Sequence, residues 1–184
     1  MIKHLQQVKD DAVCLYTHSQ IQTALDEMAT AITAELATQN PLCLCVMNGG
    51  VITTGHLITR LDFPLQLDYI HASRYGDKTQ GGQLQWHKKP SHDLAGRVVL
   101  LIDDILDEGL TLRALILYCQ TQKVKKIYTT VLLDKDRPRA EKGLSHADFT
   151  GRKVANEYVF GYGLDYKGYW RNADGIYAIK TQTD

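Results

Sequence analysis

Residues 98–112 read VVLLIDDILDEGLTL. An apolar run ends in the adjacent acids Asp103 and Asp104; a third acid, Asp107, follows, then Glu108, Gly109, Leu110 and Thr111. This order predicts a buried strand over 97–102, a tight acidic loop containing one glycine, and a helix over about 110–121. In an α/β sheet, a loop at the carboxyl end of a strand is where ligands bind. The helix starting near Gly109 aims its unpaired N–H groups and positive dipole end at that loop, which favours an anion such as phosphate. A bare acidic pair is compatible with a solvated strand-to-helix turn. The D-x-G-x-T order after the pair favours a binding loop.

The flanking segments supply the rest of an α/β unit. Residues 19–39 have a helical apolar stripe, Ile21, Leu25, Met28, Ile32 and Leu36, with Ser19 and Gln22 as a capping-box start. Pro41 ends that pattern, LCLCVM (42–47) reads as a buried strand, and Asn48-Gly49-Gly50 closes it. A second helix is expected over 50–61, with Val51, Gly55 and Ile58 on one face. Alternation over 65–72 predicts a strand. The glycine-rich YGDKTQGGQ (75–83) predicts the flexible tip of a long hairpin returning through 84–87. After the helix at 110–121, with Leu112, Leu115, Ile116 and Cys119 inward, comes a strand over 126–133. Residues 134–153, opening with DKDRPR from Asp134, read as charged loop, and NEYVFGY and DGIYAIK supply two last short strands. The alternation implies one domain over 1–184, a doubly wound, mainly parallel sheet flanked by helices.

Composition narrows the function classes. A chain of 184 residues suits one full α/β domain. Lys+Arg and Asp+Glu are both 21, so net charge is zero, which argues against a nucleic-acid or anionic-membrane surface. No run approaches the roughly 18 apolar residues of a membrane span, and MIKHLQQVKDDAV has no apolar core of a secretory signal. Cys14, Cys43, Cys45 and Cys119 show no C-x-x-C pair or zinc-ligand spacing, and the seven His are scattered. A reduced, cytoplasmic protein is expected.

The acidic segment resembles the signature of the purine phosphoribosyltransferases, and most closely that of the hypoxanthine-guanine family: an acidic pair, I-[IL]-D, then x-G-x-T. Here it stands as Asp103-Asp104, Ile105-Leu106-Asp107, Glu108-Gly109-Leu110-Thr111. The resemblance implies a type I phosphoribosyltransferase fold with a small hood. It implies transfer of the 5-phosphoribosyl group from phosphoribosyl pyrophosphate to hypoxanthine or guanine, with Mg²⁺ as cofactor, in a homodimer or homotetramer. Asp103 and Asp104 would take the ribose hydroxyls and neighbour the metal, since carboxylates are strong partners for hydroxyl donors. Backbone N–H groups of Glu108, Gly109, Leu110 and Thr111, with the Thr111 hydroxyl, would cradle the 5-phosphate. Asp107 would handle the proton at purine N7 as general acid/base. Two positions depart from the family: Glu108, where Thr or Ser is usual, and Leu110, where many members have Lys. An inward Glu108 carboxylate would repel phosphate, so it is expected to face solvent or a cation.

Three more segments extend the resemblance. VMNGG (46–50) resembles the short pyrophosphate loop, with Asn48, Gly49 and Gly50 as contacts, Asn48 replacing the usual Lys, and a cis peptide expected at Met47-Asn48. ASRYGDKT (72–79) resembles the mobile loop that closes over the reactants, making Arg74 and Tyr75 pyrophosphate contacts. VLLDKDRPR and ANEYVFGYGLDYKGYWRN imply that Lys135 donates to the purine 6-oxo group, Tyr158 stacks on the base, Val159 offers backbone to its edge, Asp165 takes a Mg²⁺-bound water, and Arg171 contacts pyrophosphate. From another class, a regulator on the same fold could sense the donor while binding nucleic acid. The zero net charge and the presence of Asp107 favour the enzyme. A receiver domain, whose acidic pair lies on its first strand, is excluded by the strands that precede this one.

Overall fold

The computed structural model describes residues 1–74 and 84–179, apart from the side chains of Arg74 and Leu84. The expected flexible tip 75–83, with Tyr75, lies outside the described residues, as does the Arg74 side chain. The elements in chain order are α1 (Ile2–Asp11), β1 (Val13–Tyr16), α2 (His18–Leu36), β2 (Leu42–Met47), α3 (Gly50–Ile58), β3 (Gln66–Arg74), β4 (Leu84–Lys88), β5 (Val98–Leu106), α4 (Leu110–Thr121), β6 (Lys126–Lys135), β7 (Phe149–Val154), β8 (Val159–Phe160) and β9 (Ile176–Ala178).

Six strands form the main sheet in the order β4-β3-β2-β5-β6-β7. All neighbours are parallel except the β3–β4 hairpin. Alternation along β2 and β5 sends side chains to two cores. Cys43, Val98, Leu100 and Ile102 pack with α2 and α3, while Leu42, Leu44, Val99 and Leu101 pack with α4. From β2 the chain winds outward through α3 to β3; from β5 it winds the opposite way through α4 to β6. The winding therefore reverses between β2 and β5, the crevice where ligands bind in such sheets. In-register pairing of Cys45 with Ile102 brings Asn48-Gly49, just past the end of β2, beside Asp103-Asp104 in the last part of β5.

A second, antiparallel sheet, β1-β9-β8, forms the small hood. It sets Tyr158 and Val159 beside the carboxyl ends of β5 and β6. Helix α1 buries no residue and is tied to this unit by a hydrogen bond from the Trp170 indole N–H to the Leu5 carbonyl (2.8 Å), with Lys9 5.3 Å above the Trp170 ring.

The main architecture is as expected, with five local corrections. Helix α2 starts from Thr17, whose capping box closes with Gln20, not from Ser19 and Gln22. The buried face of α3 is Gly50, Thr53, Thr54 and Leu57; Val51 and Gly55 face outward. The pair Asp103-Asp104 belongs to strand β5 itself, which runs to Leu106. The stretch 134–153 holds the end of β6 and most of strand β7, because pairing with β6 from Thr130–Phe149 to Lys135–Val154 recruits an otherwise polar segment. Elements α1 and β1 are additional.

Candidate active site

The site is built on the ends of β5 and β2 and closed by the hood. Asp103 is buried and its carboxylate accepts from the Asp104 N–H at 2.9 Å. Burial, then the neighbouring Asp104 charge, pushes the Asp103 carboxyl well above the usual carboxylate range; burial raises Asp104 as well. Two adjacent carboxylates removed from water disfavour ionisation unless donors or a cation meet them.

Glycine is required where three chain segments meet. A Cβ at Gly49 would overlap the Asp104 carboxylate, and one at Gly50 would come within 2.5 Å of the Ile102 carbonyl oxygen. Gly163, at φ +110°, lies against the Gly49 carbonyl so closely that a side chain there would displace the β2–α3 turn. The Met47-Asn48 peptide is cis, as the resemblance implies.

The loop from Asp107 to Thr111 is braced from behind by residues 139–144. Arg139 donates to the carbonyls of Leu106 (3.1 Å), Asp107 (2.6 Å) and Lys135 (2.9 Å) and pairs with Asp134. The Glu108 carbonyl accepts from Ala140 N–H (3.2 Å), and that of Gly109 from Leu144 N–H (3.0 Å). Gly109 has φ +76° and its Cβ position is filled by Leu144 backbone, so only glycine fits. The first intrahelical N–H of α4 to find a carbonyl is that of Arg113, bonded to Gly109 at 3.1 Å. The N–H groups of Leu110 and Thr111 precede it and belong to the open helix end, a ready anion seat.

Two connected cavities result. One, of about 550 Å³, is lined among others by Gly49, Asp103, Asp104, Glu108, Gly109, Thr111 and Arg171. The other, of about 240 Å³, is lined by Lys135, Tyr158, Val159 and Leu164. Asp104, Ile105, Asp107 and Asp165 line both. Asp107 stands at the boundary, where its carboxylate receives the Lys135 ammonium at 3.0 Å and the Arg137 guanidinium at 3.0 Å. Asp165 is paired with Arg171 at 2.6 Å and also accepts from the Gly168 N–H. Tyr158, half exposed, donates its hydroxyl to the Asp165 carbonyl at 3.1 Å.

Of the residues singled out from sequence, Gly49, Asp103, Asp104, Asp107, Glu108, Gly109, Leu110, Thr111, Lys135, Tyr158, Val159, Asp165 and Arg171 converge on these cavities. Asn48 is exposed and Gly50 is buried; neither lines them. Glu108 does face a cation, Arg137, at 3.6 Å. Arg137, Arg139 and Gly163 were missed. Arg137 and Arg139 lie beyond the end of β6 at Lys135, and only the folded chain brings them back onto the loop.

Residues 14–167 match the model of the phosphoribosyl transferase domain. The chain belongs to the hypoxanthine-guanine phosphoribosyltransferase family. It is 34% identical over 181 residues to the hypoxanthine-guanine phosphoribosyltransferase of Bacillus subtilis (strain 168), covering 98% of this chain and 97% of that one. It is 34% identical over 166 residues, 90% of each chain, to the hypoxanthine-guanine-xanthine phosphoribosyltransferase of Tritrichomonas foetus. A crystal structure of a hypoxanthine phosphoribosyltransferase from Staphylococcus aureus superimposes with a TM-score of 0.88 at 31% identity, covering 94% of both chains.

Proposed function

We propose that the protein is a purine-salvage enzyme that transfers the 5-phosphoribosyl group from phosphoribosyl pyrophosphate to hypoxanthine or guanine, releasing pyrophosphate. The observation that carries this reading is the position of Asp107, between an anion-seating cavity and a smaller one with a lysine at its wall. Ribose hydroxyls meet Asp103 and Asp104, the 5-phosphate meets the α4 end at Leu110–Thr111, and pyrophosphate meets Gly49 and Arg171. The purine enters beside Tyr158 and Val159 with its 6-oxo group on Lys135. As the base attacks the anomeric carbon and the bond to pyrophosphate breaks, Asp107 accepts or returns the proton at N7. The chain's contribution is placement and electrostatic stabilisation of separated charge.

The donor set favours a metal-bearing donor. The larger cavity presents Asp107, Glu108 and Asp165 against Arg137 and Arg171, with the buried pair Asp103-Asp104 needing a cation to ionise, a carboxylate-rich lining that disfavours a bare polyanion. Among the described residues no cluster of three ligating side chains could hold an ion by itself. Mg²⁺ carried in with the donor would fit both facts: Asp165, Asp103 and Asp104 would hold it through its waters, and it would supply positive charge beside the pyrophosphate group.

Turnover rather than sensing is the function, because a sensor has no use for a carboxylate at the base cavity's mouth. We further infer a cytoplasmic homodimer or homotetramer. Free thiols fit a reducing compartment: Cys14 is exposed and Cys43, Cys45 and Cys119 are buried, with none of them in a disulfide. One assay tests the function: incubation with Mg²⁺, phosphoribosyl pyrophosphate and each of hypoxanthine, guanine, xanthine and adenine. Nucleoside monophosphate should form with the first two, and absence of product from both overturns the reading.

A further inference from the structure

Where the resemblance implies Thr or Ser and a Lys in the phosphate loop, this chain has Glu108 and Leu110. A cation nevertheless stands at the loop, delivered from a different strand. Arg137, just beyond the end of β6, lines the larger cavity and places Nη1 3.0 Å from Asp107 and Nη2 3.6 Å from Glu108. We propose that Arg137 is a binding residue for the 5-phosphate of the donor, standing in for a loop lysine, and that Glu108 holds it in position. This inference rests on the phosphoribosyl-transfer reading and adds a residue to its site.

Three observations support it. The guanidinium sits between the boundary acid and the loop, with its side chain about a third exposed, so it can turn toward an incoming anion without crossing packed core. Five N–H donors on one planar group allow it to keep a carboxylate and still offer a fork to phosphate. Arg139, two residues on, is already spent on the carbonyls of Leu106, Asp107 and Lys135 and on Asp134, so it braces the loop and leaves Arg137 as the basic side chain of that segment next to Glu108.

The arrangement also gives Glu108 a purpose. A carboxylate beside a phosphate seat is unfavourable alone, but it pre-positions a guanidinium whose charge outlasts the exchange of partners. When phosphate arrives, Arg137 gains a stronger, dianionic partner, and one of the two cations on Asp107 is drawn away. Donor binding thereby leaves Asp107 with Lys135 alone, on the side where the base enters.

The alternative is that Arg137 only balances the charges of Asp107 and Glu108. Titration calorimetry on the full chain separates the two, with ribose 5-phosphate and Mg-pyrophosphate as probes. The proteins are wild type, Arg137→Gln, and Arg137→Gln combined with Glu108→Thr. A phosphate contact predicts that ribose 5-phosphate binds about 10- to 100-fold more weakly in both variants, the span of a lost charge-assisted hydrogen bond, while Mg-pyrophosphate affinity stays within about threefold. Unchanged ribose 5-phosphate affinity in Arg137→Gln overturns the proposal. So does recovery of wild-type affinity in the double variant, which would mean charge balance only, and so does equal weakening of both probes. Because the readout is binding, failure of the wild-type protein to turn over oxopurines would refute the assigned reaction without touching this result.

Discussion

The Lys135 ammonium donates to the Asp107 carboxylate at 3.0 Å across the boundary between the two cavities. Lys135 is the more buried partner, with its side chain 11% exposed against 39% for Asp107. The donor for one edge of the purine and the proton acceptor for another therefore hold each other in place before a base arrives. Entry of the base exchanges their mutual ion pair for contacts to O6 and N7.

Asp107→Asn keeps size and removes proton handling. Its kcat should fall by roughly 10²–10⁴, with donor affinity little changed. Steady-state kinetics over the pH range decide it: near-normal kcat throughout would remove Asp107 from acid/base chemistry.

Base choice follows from Lys135. Its three donors suit a 6-oxo group and oppose the 6-amino group of adenine, which offers the largely buried ammonium no acceptor in exchange for Asp107. Discrimination against adenine should be on the order of 10⁴ or more in kcat/KM. Lys135→Ala should slow oxopurine turnover and narrow that margin; wild-type use of adenine as readily as hypoxanthine would displace Lys135 from the role.

Asp103 predicts opposed effects on stability and function. Its carboxyl is raised by burial and by Asp104, so the folded state favours the protonated form. Stability from this group is greatest below the unfolded carboxylate range and declines as pH rises from there through the raised folded value. Asp103→Asn can keep the acceptor for the Asp104 N–H and removes the buried charge. At pH 7 its melting temperature should exceed that of wild type while turnover collapses; a lower melting temperature would mean that the ionised pair is stabilised by partners within the fold.

EDTA should abolish turnover and leave the melting temperature unchanged, because no described cluster of side chains is built to hold a structural ion. Thermal melts with and without chelator, beside an activity assay, check both halves. A large fall in melting temperature would reveal a structural site.

How far the sequence reaches is clear from particular residues. Strands β2 and β5 and helix α4 are legible because their apolar residues face opposing cores at the expected period. Around α2, Thr17-Gln20 and Ser19-Gln22 both satisfy the capping pattern, and only the three-dimensional start selects Thr17. The inward face of α3 carries Thr53 and Thr54, so apolar periodicity picks the outer side instead. Helix α1 carries only a short apolar stripe, Ile2, Leu5 and Val8, and buries no residue fully. Strand β7 exists through its pairing with β6, and Arg137 reaches Asp107 across thirty positions of sequence. Motif order carried most of the candidate site, while the braces behind it, Arg139 and Gly163, are contacts between distant segments that local pattern does not encode.

The connection between β4 and β5 offers a test of stability against pH. Asp68 on β3, with its side chain 6% exposed, accepts from the Tyr69 N–H (2.8 Å), the Ser91 N–H (2.6 Å), the His92 N–H (3.0 Å) and pairs with the His92 ring (2.8 Å). Burial acts to raise this carboxyl, yet the His92 ring and the three backbone donors outweigh it and hold it at about 2, against an ordinary 3.8. A depressed folded value stabilises the protein above the unfolded value, and that stability is lost as pH falls from about 4 through about 2. The difference corresponds to roughly 2 kcal/mol. Asp68→Asn turns an amide toward backbone donors, so above pH 5 it should cost about 2 kcal/mol and lower the melting temperature by roughly 5 °C. Urea unfolding of both proteins between pH 6 and pH 2 should show the two stabilities converging at the acid end. A gap that stays constant across that interval would mean that Asp68 contributes through shape alone, and not through its charge.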